Sequence, residues 1–595
     1  MKKPFTSENP SINPAPAEEE PAAKEAPISS GKVRTLRFPA FSLRSSFAMV
    51  LLPLGFYLAA LNPFFLPGVY DNLVYFFGAA SLVEQGSIQF RGLPIVDWPP
   101  MVSVLLAIPF LFGLESVVAA KGIIILCAAV GLLLALRLFR LERRPAPVLT
   151  LVLFAMLPTS FLMGTRIMSE WPYFMASLLF LLALHFLRDP GRACFQGRKW
   201  NFWGLAVGTG FLLGIASLTK FTGVLLGLAI IAQAVWKLRQ HPGTFLGKGS
   251  NWRAILPEGI VATIGATCFL AWMARIQWQT ITGVAPRSEY YHYGFVPEHF
   301  GGFDFSGLLQ GITDLFFHTE AFLGRLGLVG WPTTILCGAF GMLVLYGLWI
   351  RLRSKESSPA DWYVIGNLLL FGGLSTNQQT RYLMPIAPFL IGYFLLACGQ
   401  MPSVYRTLIP SRLHRAVSAF YPQWGKQLPR AALALWFFVM TGAALHLLLL
   451  GNLSGTHRAL FYPLNRTPET FYTGPWLDFY QASQYVREHS DPGNIAAIGE
   501  GDKYITYYTG RKWVDFETSG DFTFLMTLNG SAIPPDIISI MRIQPIKRFN
   551  SVALYRNIGH DQEWDLLRRI PVEEFDLPWD KDSLSAYTEI KEDEE

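Results

Sequence analysis

The residues of this chain that could do chemistry are acids and bases placed at turns between apolar segments. A carboxylate in such a place can accept a proton from a hydroxyl group, or orient that group. A cation beside it can stabilise negative charge that develops on a leaving group. The sequence offers both kinds of side chain, with one tyrosine next to them: Asp71, Asp97, Arg166, Glu170, Lys220, Arg381 and Tyr382.

The composition places these residues in a membrane protein. The 595 residues are 51% apolar and 14% aromatic but only 15% charged, whereas a soluble domain carries about 25% charged residues. Aromatic and branched apolar residues at this level exclude disorder along the whole length. The net charge of +6 is spread in small clusters, so we expect no nucleic-acid partner. The class that remains is a polytopic membrane protein.

Eleven apolar runs are candidates for membrane-spanning helices, since about 20 mostly apolar residues cross the hydrocarbon. Lys and Arg form clusters between runs, and cytoplasmic loops are enriched in these residues. With eleven spans and a cytoplasmic N-terminus, all six basic clusters fall on the cytoplasmic side. The predicted fold is mainly α, a polytopic transmembrane helical bundle. The runs are at about 47–66, 117–137, 147–165, 171–187, 201–218, 222–236, 256–277, 327–350, 361–376, 382–399 and 431–451.

A further apolar stretch, 101–113, is left out of that count. It has only about 13 residues, a length more typical of a re-entrant or interfacial segment than of a crossing. Counting it as a span would also put the basic cluster from Arg140 to Arg144 outside. We therefore expect it to lie within a long first external loop, 67–116, with a real crossing as the alternative.

The two ends of the chain differ from its middle. Residues 1–45 begin with a segment rich in Pro, Glu, Ala and Ser, which predicts a disordered cytoplasmic tail. Residues 46–451 would form the transmembrane catalytic domain. From 452 to 595 the long apolar runs stop and short mixed stretches follow. These predict a small, soluble α/β domain on the extracytoplasmic side, of ordinary domain size.

With this topology the polar candidates collect at the outer face. Transporters usually hold ionisable residues near the bilayer midplane on broken helices, and the apolar runs show no such series. Acids and bases at the water interface favour chemistry on a substrate whose tail lies in lipid, such as a polyprenyl-phosphate sugar. Asp71 and Glu170 would supply the acids. Lys220, Arg381 and Arg166 would supply the cations.

Five short motifs follow one another in the order of the turns. They are an acid after the first span, a Pro-Pro pair, and three turns that each hold one ionisable candidate: Asp71, Pro99-Pro100, Ser169-Glu170-x-Pro172, Lys220-x-Thr222-Gly223 and Arg381-Tyr382-Leu383-x-Pro385. Over residues 45–400 or so, this series resembles the C-type (GT-C) glycosyltransferase superfamily. The resemblance is to the branch of the protein O-mannosyltransferases and the lipid A aminoarabinose transferases.

The resemblance implies a bacterial inner-membrane enzyme that transfers a sugar, with inversion, from a polyprenyl-phosphate carrier to a lipid, glycan or protein at the outer face. It also implies a catalytic or acceptor-binding role for Asp71. Two positions depart from the pattern: Asn72 stands where many relatives have Glu, and Trp98 follows the acid Asp97 where some relatives have Lys. Lys220 and Arg381 should then carry more of the phosphate contact, together with Tyr382. Some relatives use a divalent metal ion and others do not, so a metal cofactor stays open.

Each candidate also has a purely structural interpretation. Asp71 and Glu170 could stabilise the start of a helix. Lys220 could extend to the membrane interface, and Asp97 could be a turn residue. Two further loop residues, Arg287 and His292, could contribute a cation or belong to an interfacial aromatic belt. For the whole chain, the alternatives are a transporter or flippase of lipid-linked sugars and a non-catalytic scaffold.

Overall fold

The chain is mainly helical, with a small sheet near its C-terminus. The computed structural model describes residues 42–66, 71–90, 93–96, 98–188, 194–195, 198–199, 202–240, 255–284, 303–317, 331–354, 356–373, 380–408, 441–442, 445–446, 448–450, 460–461, 467–489, 495–498, 508–509, 523–527 and 543–557. Most of the predicted N-terminal tail therefore lies outside the described residues.

Most of the helices described before residue 410 follow the apolar runs. In chain order they are α1 Leu43–Leu51, α2 Leu54–Ala59, α3 Asp71–Gln85, α4 Met101–Phe110, α5 Val117–Leu141, α6 Pro147–Met156, α7 Pro158–Gly164, α8 Glu170–Arg188, α9 Phe202–Thr219, α10 Leu226–Gln240, α11 Leu256–Ile281, α12 Phe305–Phe317, α13 Trp331–Arg353, α14 Pro359–Gly373 and α15 Ala387–Leu408. Helices α3, α4 and α12 lie outside the eleven runs. Two 3₁₀ helices, Phe221–Leu225 and Thr380–Ile386, lead into α10 and α15. Two short hairpins, β1 Gln89–Phe90 with β2 Leu93–Pro94 and β3 Cys194–Phe195 with β4 Arg198–Lys199, lie in connections between helices.

Six helical segments of the described chain are long and apolar enough to cross a membrane, and each coincides with a predicted run. They are Val117–Leu141, Glu170–Arg188, Phe202–Thr219, Phe221–Leu238, Leu256–Ile281 and Thr380–Gln400. The helices α6 and α7, bent by 67° before Pro158, would form a seventh. The multi-pass bundle is thus confirmed, whereas the total of eleven spans stays a prediction.

The remaining predicted runs are shorter or only partly described. The first run, 47–66, forms α1 and α2, which are separated near Pro53. The runs 327–350 and 361–376 correspond to α13 and α14, and most of the run 431–451 lies outside the described residues. Helix α4 has 10 residues, too few to cross about 30 Å of hydrocarbon. Whether 101–113 is re-entrant stays a prediction.

The main helix contacts of the bundle join both consecutive helices and helices that are separated in the chain. Helix α5 packs on α8, α8 on α9, and α9 on α11. An aromatic cluster lies at the start of α8, where the Trp171 ring is 5.2 Å from that of Phe154 and 5.6 Å from that of Phe174. The Trp171–Phe174 pair packs edge to face and the Phe154–Trp171 pair is tilted, and ring pairs at such separations attract one another. This packing fixes the N-terminal turn of α8, which carries Glu170.

A buried charge cluster connects the C-terminal end of α5 with α14 and α15. Arg144, which belongs to one of the predicted cytoplasmic basic clusters, has a side chain only 1% exposed. It pairs with Glu142 at 2.7 Å and with Asp361 of α14 at 2.8 Å. The hydroxyl of Tyr393 donates to the same Asp361 carboxylate at 2.6 Å. Because each charge has a partner, this cluster holds α5, α14 and α15 together without an unpaired buried ion.

The C-terminal α/β unit, taken here as the described part of residues 460–557, contains a four-stranded sheet. Its strands are β5 Ile495–Ile498, β6 Phe524–Thr527, β7 Ile543–Phe549 and β8 Val552–Asn557, in the order β5-β6-β8-β7. Only the β5–β6 pair is parallel among them. Helices α16 Pro468–Phe471 and α17 Pro475–His489 precede the sheet, and α17 packs on β7 and β8. The described part thus contains both helices and strands, while the soluble α/β domain stays a prediction.

Asp478 of α17 fixes the hairpin of this sheet. Its carboxylate accepts hydrogen bonds from the side chain of Asn550 at 3.1 Å and from the hydroxyl of Ser551 at 2.6 Å. Asn550 has a φ of 34°, in the left-handed region where Asn is among the better tolerated residues. The buried Asp478 therefore satisfies the polar groups of a tight turn and has a structural role.

Candidate active site

Two helix starts bring the candidate acids together. Asp71 is the first residue of α3 and Glu170 is the first residue of α8. The first turn of a helix has free N–H groups and the positive end of the helix dipole, so a carboxylate is favourable there. The local sequence therefore explains why an acid stands at each position, and the surroundings show what else it contacts.

Asp71 accepts one hydrogen bond at each carboxylate oxygen. Arg381 Nη1 donates to its Oδ2 at 3.1 Å, and Trp98 Nε1 donates to its Oδ1 at 2.9 Å. The side chains of Asp71 and Arg381 are 20% and 22% exposed. This ion pair is thus held in a fixed geometry but remains accessible from outside.

Glu170 forms the second ion pair, which is buried more deeply. Lys220 Nζ lies 3.0 Å from its Oε1, and the two side chains are 10% and 1% exposed. The other oxygen, Glu170 Oε2, is buried and has no hydrogen-bond partner among the described residues. Arg381 Nε is also buried and has no hydrogen-bond partner among the described residues. Buried polar atoms normally have partners, so one acceptor and one donor here are left for a ligand.

Tyr382 lies between the two cations and joins the pairs. Lys220 Nζ is 4.8 Å from the centre of its ring, and Arg381 Cζ is 5.4 Å from it. A cation within about 6 Å of an aromatic face is attracted by the ring's quadrupole. The tyrosine therefore keeps two like charges close to each other at one side of the site.

A glycine allows Lys220 to reach this position. Lys220 lies between the end of α9 and the 3₁₀ helix Phe221–Leu225. The amide of Gly223 donates to the carbonyl of Lys220 at 2.8 Å. A Cβ at Gly223 would lie 2.6 Å from backbone atoms of Ala216 and Ser217, closer than real atoms approach. The Thr-Gly pair of the sequence motif is thus explained by a 3₁₀ turn that lies directly against α9.

These residues surround one cavity of about 120 Å³. Pockets for whole drug-sized ligands are usually 300–1,000 Å³, so the head of a larger ligand would fit inside. The formal charges of the two acids and two cations cancel. The lining is Asp71, Tyr75, Trp98, Pro99, Ser169, Glu170, Lys220, Phe221, Thr222, Arg381 and Tyr382.

Three lining residues were given no role in the site by the sequence: Tyr75, Trp98 and Phe221. Tyr75 lies four residues after Asp71 on α3, a spacing that places both on one helix face, and this signal could have identified it. Burial, followed by the charge of Asp71, raises the pKa of Tyr75 well above its usual value, while Ser169 hydrogen-bonds to it. Its hydroxyl therefore stays protonated and is a potential donor in the cavity.

The other sequence candidates lie elsewhere. Arg166 is in the connection between α7 and α8 and does not line the cavity. Asp97, Arg287 and His292 lie outside the described residues, so their predicted roles stay predictions. For a metal ion, the described residues contain no group of three or more His, Cys, Asp or Glu side chains that could hold one. The acids Asp71 and Glu170 are each paired with a cation instead.

Comparison with known proteins supports the fold. No protein-family model matches the sequence, and no curated protein sequence is a significant match. The crystal structure of ArnT from Cupriavidus metallidurans in the apo state is similar, with a TM-score of 0.53, 13% sequence identity, and coverage of 87% of this chain and 99% of that chain. The structure of ArnT bound to undecaprenyl phosphate gives a TM-score of 0.52 with the same identity and coverage. At this identity the likeness concerns the fold, and it confirms the expected GT-C architecture.

Proposed function

We propose that this chain, which has the fold of the GT-C glycosyltransferases, is an integral membrane glycosyltransferase with a polyprenyl-phosphate sugar as donor. The observation that carries the proposal is the cavity in which the Asp71–Arg381 and Glu170–Lys220 pairs lie together. It combines a carboxylate for a hydroxyl group with two cations for a phosphate. The similarity in fold to ArnT, which has been solved with undecaprenyl phosphate, is consistent with this class of donor.

In the proposed reaction the acceptor's hydroxyl oxygen attacks the anomeric carbon of the sugar. The new C–O bond forms on the face opposite the phosphate, so the configuration inverts. The bond from the anomeric carbon to the phosphate oxygen breaks, and polyprenyl phosphate leaves with the electron pair. The proton of the acceptor hydroxyl passes to the carboxylate of Asp71, which acts as general base.

The cations have the complementary task. Negative charge grows on the phosphate as the bond breaks, and fixed cations stabilise that charge most effectively in a site shielded from water. Lys220 and Arg381 would bind the phosphate, and Tyr382 would hold the two cations in place. Arg381 Nε, which has no partner among the described residues, offers a donor to a phosphate oxygen while Nη1 contacts Asp71. Glu170 would orient Lys220, and Arg166 and Asp97 remain further candidates for the phosphate contact and for catalysis.

The setting of the reaction follows from the distribution of basic residues. We place the site at the outer face of a bacterial inner membrane, with the N-terminus in the cytoplasm and the C-terminal unit outside, as the Lys and Arg clusters indicate. The donor's tail would lie among membrane lipids between helices, partly covered by the segment around α4. The acceptor hydroxyl would belong to a lipid, a glycan or a protein.

The test compares Asp71→Asn with Glu84→Gln, which changes an exposed acid on the same helix. Both purified proteins are given polyprenyl-phosphate sugars, and release of polyprenyl phosphate and glycosylation of an acceptor are measured. We expect Asp71→Asn to lower kcat by about 10²–10⁴-fold and Glu84→Gln to resemble the wild type. Full transfer activity in Asp71→Asn would refute the role of the Asp71 carboxylate as general base. A wild-type protein that moves the lipid without cleaving it would be a transporter.

A further inference from the structure

A second group of contacts, outside the cavity, surrounds the chain segment 60–66 that precedes Asp71. We propose that the C-terminal α/β unit positions Asp71 by holding this segment, and that Tyr472 is the positioning residue. The inference rests on the proposed function, because it takes Asp71 as the group that accepts the proton. It gives the C-terminal unit a part in catalysis in addition to any contact with the acceptor.

The bundle holds the segment from one side through a buried lysine. Lys121 of α5 is only 1% exposed. Its Nζ donates to the carbonyl oxygen of Phe64 at 2.6 Å and to Oδ1 of Asn62 at 2.9 Å. A buried cation is costly unless it is hydrogen-bonded, so these contacts fix the lysine and the backbone of the segment together.

The C-terminal unit holds the same segment from another side. The hydroxyl of Tyr472, a residue that is 2% exposed, donates to the carbonyl oxygen of Phe65 at 3.0 Å. The ring of Phe471 lies 4.8 Å from that of Phe64. The side-chain amide of Asn62 donates to the carbonyl of Leu460 at 3.4 Å. Asn62, Phe64 and Phe65 of the segment thus all contact the C-terminal unit.

From the segment, contacts continue to the helix that begins with Asp71. The ring of Phe65 packs edge to face on that of Phe76 in α3, with centroids 5.5 Å apart. Asn72 donates to the carbonyl of Leu66 at 3.4 Å and accepts from the amide of Ile167 at 2.9 Å. A displacement of Phe65 would therefore shift the first turn of α3, which carries Asp71.

The test removes one hydroxyl group. Tyr472→Phe keeps the ring but loses the donor to the Phe65 carbonyl. Tyr508→Phe is the matched control: it removes the hydroxyl that is hydrogen-bonded to that of Tyr472 and leaves the contact with Phe65 intact. Both full-length proteins are assayed with a donor on which the wild type is active.

We expect Tyr472→Phe to lower kcat about tenfold, since a small misplacement of a catalytic group has a large effect on rate. The KM values for donor and acceptor should stay the same, because the phosphate-binding cations are not touched, and Tyr508→Phe should resemble the wild type. An unchanged kcat in Tyr472→Phe would overturn the inference. So would a rise in the acceptor KM alone, which would assign the C-terminal unit to acceptor docking.

A second measurement needs no substrate and separates this inference from the proposed function. Hydrogen–deuterium exchange is followed in peptides covering α3. Faster exchange in α3 beyond its first turn, where the amides are hydrogen-bonded within the helix, in Tyr472→Phe but not in Tyr508→Phe, supports the mechanical link even if the wild type shows no sugar transfer, a result that would refute the proposed function alone. Equal exchange in both variants refutes the link.

Discussion

Arg381 Nη1 lies 3.1 Å from Asp71 Oδ2, although the two residues are 310 positions apart in the sequence. The pair joins the first turn of α3 to the 3₁₀ helix before α15, so it closes the site between an early and a late part of the bundle. It is more exposed than the Glu170–Lys220 pair. The accessible pair is therefore the one better placed to exchange partners with a substrate.

The buried Glu170–Lys220 pair makes a prediction about stability. Lys220→Met should lower the free energy of unfolding by about 3–5 kcal/mol, because it leaves a buried carboxylate without its cation. The double variant Glu170→Gln with Lys220→Met should recover most of that loss, since the uncompensated charge is gone. Both should lack transfer activity. The measurement is thermal unfolding of the purified proteins, and a single variant as stable as the wild type would contradict the buried pair.

The close contact at Gly223 predicts a sharp difference between two glycines. Gly223→Ala should destabilise the protein by about 1–3 kcal/mol, the usual cost of an overpacked site, and should displace Lys220 and raise the KM for the donor. Gly227→Ala is the matched control four residues later, because a Cβ there meets no atom within 4 Å. Thermal unfolding and donor kinetics of both variants check this. Equal stability and equal donor KM in Gly223→Ala and Gly227→Ala would show that the turn does not lie against α9.

The hydrogen bond from Trp98 to Asp71 predicts a role for Trp98 in holding the carboxylate in place. Trp98→Phe keeps an aromatic ring but removes the donor to Asp71 Oδ1. A hydrogen bond to a charged group contributes about 1.5–3 kcal/mol, so kcat should fall by about 10–100-fold with little change in the donor KM.

Trp203→Phe serves as the control for Trp98→Phe, because Trp203 is an exposed tryptophan on α9 that does not line the cavity. Its kinetic constants should match those of the wild type. A rise in the donor KM with kcat unchanged in Trp98→Phe would instead assign Trp98 to phosphate binding.

Most helices of the bundle and part of the site could be predicted from the sequence. Apolar runs of sufficient length form helices in a membrane because their backbone groups must be satisfied internally, and the predicted runs and observed helices coincide accordingly. The acids Asp71 and Glu170 were recognisable because each stands at a turn that the charge pattern places at the outer face. The motif around Lys220 was recognisable because Thr222 and Gly223 mark a tight turn.

Other features depended on the way the helices pack. The sequence pattern put Arg144 in a cytoplasmic basic cluster but gave no sign that its guanidinium is buried against Asp361 from a distant helix. It also gave no reason to single out Lys121, whose partners are a backbone carbonyl and Asn62. In both cases the partners come from distant parts of the chain, so local spacing carries no information about them.

The sequence by itself determined the membrane-spanning class, the positions of most helices and the residue types at the turns, because hydrophobic length and turn chemistry are local properties. Only the tertiary structure decided that Arg381 pairs with Asp71, that Lys220 pairs with Glu170, and that Tyr382 lies between the two cations. Such pairing is set by the side-by-side arrangement of helices, and helices far apart in the chain can be brought together in many ways that the same local sequence would allow.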